Sequence, residues 1–462
     1  MEDEVQMRIE RDMVGSESIA ENVYYGLQSL RAAQNFHITG RGLIPEFIES
    51  LAQIKKAAAI VNGDSGRLDA RRRDAIIQAC DEILAGGFRD QFITDAIQGG
   101  AGTSANMNVN EVVANRAIEI LGGEKGDYSV VHPNDHVNMC QSTNDVIPTA
   151  GKMTVLKLMR GACAQMQRLS EALAVKEKEF DHILKMGRTQ MQDAVPIRLG
   201  QEFGAYRSMV ERDLHRLEKV PQELKYVNMG GTAIGTSINA DPNYVHKIVP
   251  ELCEISGLDL EAAPNLIDAT QNLDSFVAVS SVLRVCAVNL SKMANDLRIL
   301  SSGPRTGFHE INLPPRQNGS SIMPGKVNPV IPEVVSQVAF GIVGNDVTIA
   351  MAAEAGQLEL NAFEPVLFYK LFESITTLTG AVQTLVDNCV SGITANEKHC
   401  EDLVNHSVGI ITALCPYIGY TVAADIAKTA IRKNIPVRDE LIARNILKPE
   451  QLDALLNPYA MT

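Results

Sequence analysis

The sequence has no cysteine pair in CxxC spacing, no unbroken apolar run of about 18 residues, and a shortage of positive charge. Its eight cysteines, Cys80, Cys140, Cys163, Cys253, Cys286, Cys389, Cys400 and Cys415, are scattered, and none joins a tight Cys/His cluster of the kind that holds zinc. In a chain of 462 residues such isolated thiols read as reduced core residues of a cytosolic protein. Without a long apolar run no membrane span is expected. The acidic start Met1-Glu2-Asp3-Glu4 lacks the apolar core of a secretory leader. Lys and Arg number 42 against 56 Asp and Glu, a net charge of −14, which argues against nucleic acid or an anionic membrane as the main partner. A small anionic substrate stays open, because a site can be locally basic within an acidic protein. There is no internal repeat and no low-complexity tract.

What the chain does contain is a globular composition, 45% apolar and 21% charged, and enough length for two or three domains. Long helical patterns dominate its middle. The clearest is Phe276, Val279, Leu283, Cys286, Leu290, Met293, Leu297, Leu300, whose spacings alternate three and four, the seam of a helix packed at a small crossing angle. Gly303-Pro304 stops it. A similar stripe, Val155, Met159, Cys163, Met166, Leu169, Leu173, follows Pro148. Further helices are expected from about Leu199 to Leu217, Pro332 to Met351 and Pro365 to Val386. At 1.5 Å per residue, several reach roughly 30 Å or more. The expected fold is therefore mostly all-α, an elongated central helical bundle flanked by smaller N- and C-terminal domains. The divisions fall at 1–140, 141–395 and 396–462. Val277, Val282, Val285 and Val288 lie off the main stripe, so that helix needs burial on several sides, by helices of other subunits among others.

Four polar segments sit beside these helices. The run Gly319-Ser320-Ser321-Ile322-Met323-Pro324-Gly325-Lys326-Val327-Asn328-Pro329 combines two hydroxyls, an ammonium and an amide with Gly and Pro, which favour a loop over helix or buried strand. Such a loop can bring backbone N–H groups and Lys326 to an anion. The segment 100–111 holds Thr103 and Ser104, either of which could cap the next helix; a helix start also attracts anions. Segment 134–145 holds Ser142, Thr143 and Asn144, three consecutive donors before another helix. Segment 187–196 holds Thr189 and Gln190. His132 and His136 have the spacing of a metal clasp, but Pro133 argues against the helix that clasp needs, and no metal site is expected. The phosphate-loop pattern fails, because five residues separate Gly319 from Gly325 and Val327 follows Lys326. The glycines of 230–235 do not make GxGxxG.

A dicarboxylate substrate would need donors at both carboxylates, and Ser and Thr hydroxyls, Lys326 and Asn328 are suitable donors. Beta-elimination takes a weakly acidic proton from the carbon beside one carboxylate, and charge builds there as an aci-carboxylate. Fixed donors aimed at that charge lower the barrier, each typically by about 2.7–4 kcal/mol. A serine serves as base if N–H groups, a helix start or an ammonium stabilise its alkoxide. Ser320, beside Lys326 in a Gly/Pro loop, is the best candidate, and a loop can close to exclude water.

The four segments, in this order, resemble the class II fumarase/aspartase superfamily. The resemblance runs nearly end to end, from Arg8-Ile9-Glu10, Tyr24-Tyr25-Gly26 and Asn35-Phe36 through Ser301-Ser302-Gly303-Pro304-Arg305 to Asn457-Pro458. It implies a mostly α-helical homotetramer with a shared central bundle and active sites drawn from three subunits. It implies no required cofactor, with Mg2+ as an activator of some members. Within the family, Gln190 stands where fumarases carry a proton-transferring His. Gln141-Ser142-Thr143-Asn144-Asp145 has the aspartase form, and so does the stretch 351–361 around Gln357-Leu358-Glu359-Leu360-Asn361. These features favour reversible elimination of ammonia from L-aspartate to give fumarate. By the same resemblance Ser320 is the base. Thr103, Ser142, Thr143 and Ser321 hold the β-carboxylate, Asn144 and Gln190 lie near the amino group, and Thr189, Lys326 and Asn328 hold the α-carboxylate. Asn134 and Asp135 match a secondary anion site of the family. An amino group that is already protonated needs no strong acid to depart. The alternatives are a fumarase or another lyase of the same fold, and a non-catalytic protein of this fold; the missing His at 190 counts against the first, and intact Ser320 and Lys326 against the second.

Overall fold

A computed structural model describes residues 6–319 and 321–462. The chain opens with the antiparallel hairpin β1 (Met7–Arg11) and β2 (Ser16–Ala20), then α1 (Leu27–Asn35), α2 (Pro45–Asp64), α3 (Ala70–Leu84) and α4 (Thr103–Ile120). The 37-residue helix α5 (Thr143–Glu179) follows, then a second hairpin, β3 (Leu184–Thr189) and β4 (Gln192–Arg198). Helices α6 (Leu199–Leu217) and α7 (Val220–Leu224) lead to β5 (Tyr226–Val227), α8 (Pro242–Ser256), β6 (Glu261–Ala262), α9 (Leu266–Gln271) and α10 (Asp274–Leu300). After β7 (Ile311–Asn312) come α11 (Val330–Glu354), α12 (Glu364–Asn388), β8 (Thr394–Ala395) and the short helices of the tail, 397–461. The structure is 62% helical and, among the described residues, the sheets are two-stranded, so the fold is mostly all-α.

The sequence stripes fall on these helices. Every residue of the α10 seam, from Phe276 through Leu300, is at most 5% exposed. Each such side chain contributes about 1.5–3 kcal/mol through removal from water. Helix α6 spans the residues expected of it, and α11 and α12 extend two or three residues past the expected ends. Helix α5 differs. It begins at Thr143, so Pro148 lies inside it rather than before it. A proline there removes one helical hydrogen bond, and the carbonyl it orphans, that of Asn144, accepts instead from the Asn228 amide at 2.9 Å.

Two compact units divide the chain: residues 1–162, 216–284 and 341–377 form one, and 163–215, 285–340 and 378–462 the other. In the first, α2 packs on α3, α4 and α8. Its small residues Ala57, Ala58 and Ala59 are buried, and so, among them, is Lys55, at 0% exposure. Phe276, Phe47, Phe368 and Phe372 form an aromatic cluster with centroids 5.1–5.8 Å apart. Gly151 is obligatory against it, since a Cβ would lie 2.2 Å from the Phe368 ring. The start of α1 is held by a buried carboxylate: Glu111 of α4 accepts from the N–H groups of Gly26, Gln28 and Ser29, and from the Ser29 hydroxyl. In the second unit the tail builds its own core, in which Val404, Leu414, Ile426, Val437, Leu441 and Leu452 pack with Met186 of β3.

By length and composition α10 and α11 could each cross a membrane, although neither holds an unbroken apolar run of about 18 residues. The buried α10 seam is that of a core helix. On α11, Phe340, Val347 and Met351 are exposed at 67%, 58% and 68% and lie along one stripe.

Burial pushes the Glu111 carboxyl up from 4.5 to about 7, opposed by its Ser29 and backbone hydrogen bonds and helped by Glu10. A carboxyl raised in the folded state adds stability that is complete below its ordinary value and is lost as pH rises through the folded one. The melting temperature of the wild type should therefore gain on that of Glu111→Gln as pH falls from 8 to 5. Other titrating groups cancel in the difference. A gap that stays constant across this range in thermal melts would remove Glu111 from the titration.

Candidate active site

Helix α4 starts after three successive residues of left-handed backbone, Gly100 (φ 86°), Ala101 (φ 57°) and Gly102 (φ 85°). Only glycine takes such angles without cost. A Cβ on Gly102 would also meet Ile147 carbons at 3.0 Å. The turn leaves Thr103 exposed as the first helical residue. Neither Thr103 nor Ser104 caps the helix, contrary to the sequence expectation. The Thr103 hydroxyl donates to the Gly100 carbonyl at 2.7 Å, and Gln98 Oε1 accepts from the Ala105 N–H at 2.8 Å.

Helix α5 is capped from within. Asn144 N–H donates to Ser142 Oγ at 3.2 Å, and Ser142 N–H donates to Asp145 Oδ1 at 2.9 Å. This is reciprocal like a capping box, except that the Ser142 hydroxyl takes the second helical N–H rather than the third. The other oxygen of Asp145 accepts from the N–H groups of Gly230 (3.1 Å) and Thr232 (3.0 Å), and the Asn144 amide donates to the Ala233 carbonyl at 2.7 Å. The glycine-containing run 230–235 thus serves as a backbone cradle for the start of α5. Beneath it, the ammonium of Lys55 donates to Asn106, Asn138 and Gln141. Burial pushes Asp145 up to about 6 against its three backbone donors and Lys55. Burial likewise pushes Lys55 down to about 7, with Asp145 opposing. The amide of Asn106 in α4 also donates to Thr143 Oγ1 at 3.3 Å, which brings the segments of Thr103 and of Ser142, Thr143 and Asn144 together.

The other expected residues that the structure describes lie in the second unit. Thr189 and Gln190 are exposed at the tip of the β3–β4 hairpin. Thr189 pairs with Gln192 across a two-residue turn, Gln190 (φ 53°) and Met191 (φ 64°). Two positive φ angles fit a hairpin turn usually built from Asn and Gly. Holding Gln and Met there stores strain of the kind found at functional sites. The hairpin is anchored behind this tip: Arg188 stacks 4.4 Å from the Phe308 ring and donates at 2.7 Å to Glu310, which is fully buried and also pairs with Lys185 at 3.1 Å.

The described residues of the Gly/Pro segment, 319 and 321–329, are neither helix nor strand, as their composition required. Ser320 lies outside the described residues. Gly319 N–H donates to the Lys326 carbonyl at 2.9 Å, and the Asn328 amide donates to the Gly319 carbonyl at 2.9 Å. A Cβ on Gly319 would stand 2.1 Å from the Lys326 carbonyl, so glycine is required at this neck. Ser321 and Lys326 are exposed and Asn328 is half-buried. A cavity of about 1030 Å³ is lined by Met191, Arg298, His309, Lys326 and Asn328, so the hairpin tip and the loop share one wall.

At 133–137 the structure corrects one expectation. A short π-helical turn does form, because Pro133 occupies its first position, where no donor is needed. His132 Nδ1 accepts from Asn134 and Asp135 N–H, and His136 Nδ1 accepts from His132 N–H. These nitrogens are turned to the backbone. Among the described residues no three His, Cys, Asp or Glu side chains gather as metal ligands, so the donor set offers no ready-made metal cage. Sequence reasoning missed Lys55, Asn106, Asp145 and Asn228 as supports of the site. The capping-box spacing of Asp145 was readable, and so was a lysine amid Ile54 and Ala57–Ala59; the long-range partners were not.

A family model described as a lyase matches residues 15–344, and one described as the C-terminus of fumarase C matches 410–462. The chain is 53% identical over 457 residues to the aspartate ammonia-lyase of Bacillus subtilis, covering 99% of this chain and 96% of that one. It is also 53% identical to the aspartate ammonia-lyase of Helicobacter pylori strain J99, covering 98% of each. A crystal structure of a Brucella melitensis fumarate lyase:delta crystallin bound to cobalt superposes with a TM-score of 0.96 at 48% identity, covering 99% of both chains. The class II fumarase of Schistosoma mansoni superposes at 0.93 with 33% identity, covering 98% of both.

Replacing Asp145 with Ala should cost at least ~2 kcal/mol in urea unfolding, because two buried N–H donors, with a third half-buried, lose their acceptor at roughly 1–3 kcal/mol each. Asp145→Asn, which keeps one acceptor oxygen, should fall between. A loss under about 1 kcal/mol for the alanine variant would show that the cradle is not held by this carboxylate.

Proposed function

The chain belongs to the lyase family, and we propose that it is an aspartate ammonia-lyase, catalysing reversible elimination of ammonia from L-aspartate to give fumarate. The observation that carries this reading is its likeness, along nearly the whole chain, to proteins named for that reaction. Gln190 supports it from the residues: at the hairpin tip an amide replaces the proton-transferring imidazole that resemblance assigns to fumarases. The second reading, a fumarase, has the likeness to a class II fumarase in its favour and Gln190 against it.

In the proposed chemistry Ser320, as alkoxide, removes a proton from Cβ. The electrons of that C–H bond delocalise into the adjacent carboxylate, and then form the C–C double bond as the C–N bond breaks. The amino group leaves its ammonium form as neutral ammonia, so no strong acid is needed; the proton on Ser320 passes to solvent or to ammonia. Thr103, Ser142, Thr143 and Ser321 hold the β-carboxylate that carries the developing charge. Asn144 and Gln190 lie near the amino group, and Thr189, Lys326 and Asn328 hold the α-carboxylate. A hydroxyl that already accepts a hydrogen bond, as Thr143 does from Asn106 and Ser142 from the Asn144 N–H, keeps its own hydrogen for the substrate. Charge stabilisation of this kind works through donors fixed before the reaction begins.

The working form proposed is a cytoplasmic homotetramer with active sites shared between subunits, and the exposed apolar stripe of α11 supports burial against other copies. No cofactor is required; Mg2+ enters as an activator. The division 1–140, 141–395 and 396–462 is kept as the domain proposal.

Fumarate absorbance should rise when the enzyme meets L-aspartate and not when it meets malate; turnover of malate alone would overturn the reading. Ser320→Ala should leave the oligomer assembled and abolish turnover, and near-normal kcat in that variant would sink the assignment of the base. Lys326→Ala should raise KM roughly 10- to 100-fold, the scale of a lost charged hydrogen bond; unchanged KM and kcat would refute its role.

A further inference from the structure

Lys55 is a charged side chain in the middle of α2, flanked by Ile54 and Lys56, and it is completely buried. Burying an ammonium is costly unless it is fully hydrogen-bonded. Here its three hydrogens meet three neutral amide oxygens: Asn106 Oδ1 at 2.7 Å, Asn138 Oδ1 at 2.8 Å and Gln141 Oε1 at 2.9 Å. A lysine has three donors and no more, so the set is complete. A core that needed only volume at this position would hold methionine or leucine.

The three amides do not end the chain of contacts. With its oxygen held by Lys55, Asn106 has a fixed orientation, and its Nδ2 group must point the other way. There it donates to Thr143 Oγ1 at 3.3 Å and to Asn138 Oδ1 at 3.3 Å. Gln141, also oriented by the ammonium, donates to the Val137 and Met139 carbonyls and so shapes the approach to Ser142. Without the ammonium, Asn106 and Asn138 would present amides with no reason to choose one flip over the other, and Thr143 would lose a donor of known direction. The buried carboxylate of Asp145, which caps α5 on its other side, is the counter-charge of the arrangement.

We propose that Lys55 is a positioning residue for the carboxylate-binding hydroxyl of Thr143, acting through Asn106. The inference rests on the lyase reading above. Lys55 touches no reacting atom; it sets the direction of a hydroxyl that does. Errors of about 1 Å in such groups cost about 100-fold in rate.

The test is a double-mutant cycle on the full-length enzyme with L-aspartate. Turnover by the wild type comes first, since its absence refutes the lyase reading and not the role of Lys55. Lys55→Met keeps the volume and removes the charge; Thr143→Val removes the hydroxyl. Lys55→Met should lower kcat/KM about 10- to 100-fold in the wild-type background and less than about 3-fold when Thr143→Val is already present. The two changes would then be coupled, which a merely structural residue does not produce. Affinity for succinate, a dicarboxylate without the amino group, should fall in parallel. Equal losses in both backgrounds would overturn the proposal, as would unchanged succinate affinity in a folded Lys55→Met enzyme. Should that variant fail to assemble, Asn106→Leu cuts the same connection one step later and must show the same coupling to Thr143→Val; additive losses there overturn the proposal equally.

Discussion

The start of α5 is polar, half-buried and carries much of the candidate substrate contact, and its geometry depends on one carboxylate kept out of water. Asp145 accepts three backbone hydrogen bonds, one from its own helix cap and two from the run after β5. A buried carboxylate with fewer partners would neutralise itself or move towards solvent. With them it ties two distant stretches of chain to one point, and the hydroxyls of Ser142 and Thr143 inherit a fixed position. Lys55 answers it from the core side. The low dielectric that makes either charge expensive alone makes the satisfied set rigid.

The second unit solves a related problem by other means. There the exposed Thr189 ends β3 beside a strained two-residue turn that holds Gln190, and Lys326 and Asn328 sit on a loop closed at its neck by Gly319. Their support is the stacked and ion-paired Arg188, backed by Glu310 and Lys185. In both units a polar tip is fixed by a buried charge network behind it, as preorganised electrostatic catalysis requires.

Much of this was legible in the residues. The α10 seam, α6 and the loop character of 321–329 follow from spacing and from Gly and Pro alone. The polar segments were visible as clusters of small donors beside apolar helices. What the residues hid was partnership across the chain. Thr103 reads as a cap, yet Gln98 takes that work, because the left-handed glycines before Thr103 turn its hydroxyl back to Gly100. Pro148 reads as a helix boundary, yet Asn228 supplies the missing donor from 80 positions away. Pro133 reads as a helix breaker, yet it stands where a helix tolerates it best. Local propensity sets the odds at such places, and a remote side chain decides the outcome.

Pro148 has a mechanical consequence. It severs one rung of the ladder between the opening turn of α5 and the long shaft that follows. The opening turn is instead tethered sideways, to Asn228, Gly230, Thr232 and Ala233. Bending or sliding of the shaft, whether from a neighbouring copy or from drift in its sequence, is therefore poorly transmitted to Ser142, Thr143 and Asn144. The scaffold is free to diversify while the chemistry stays put.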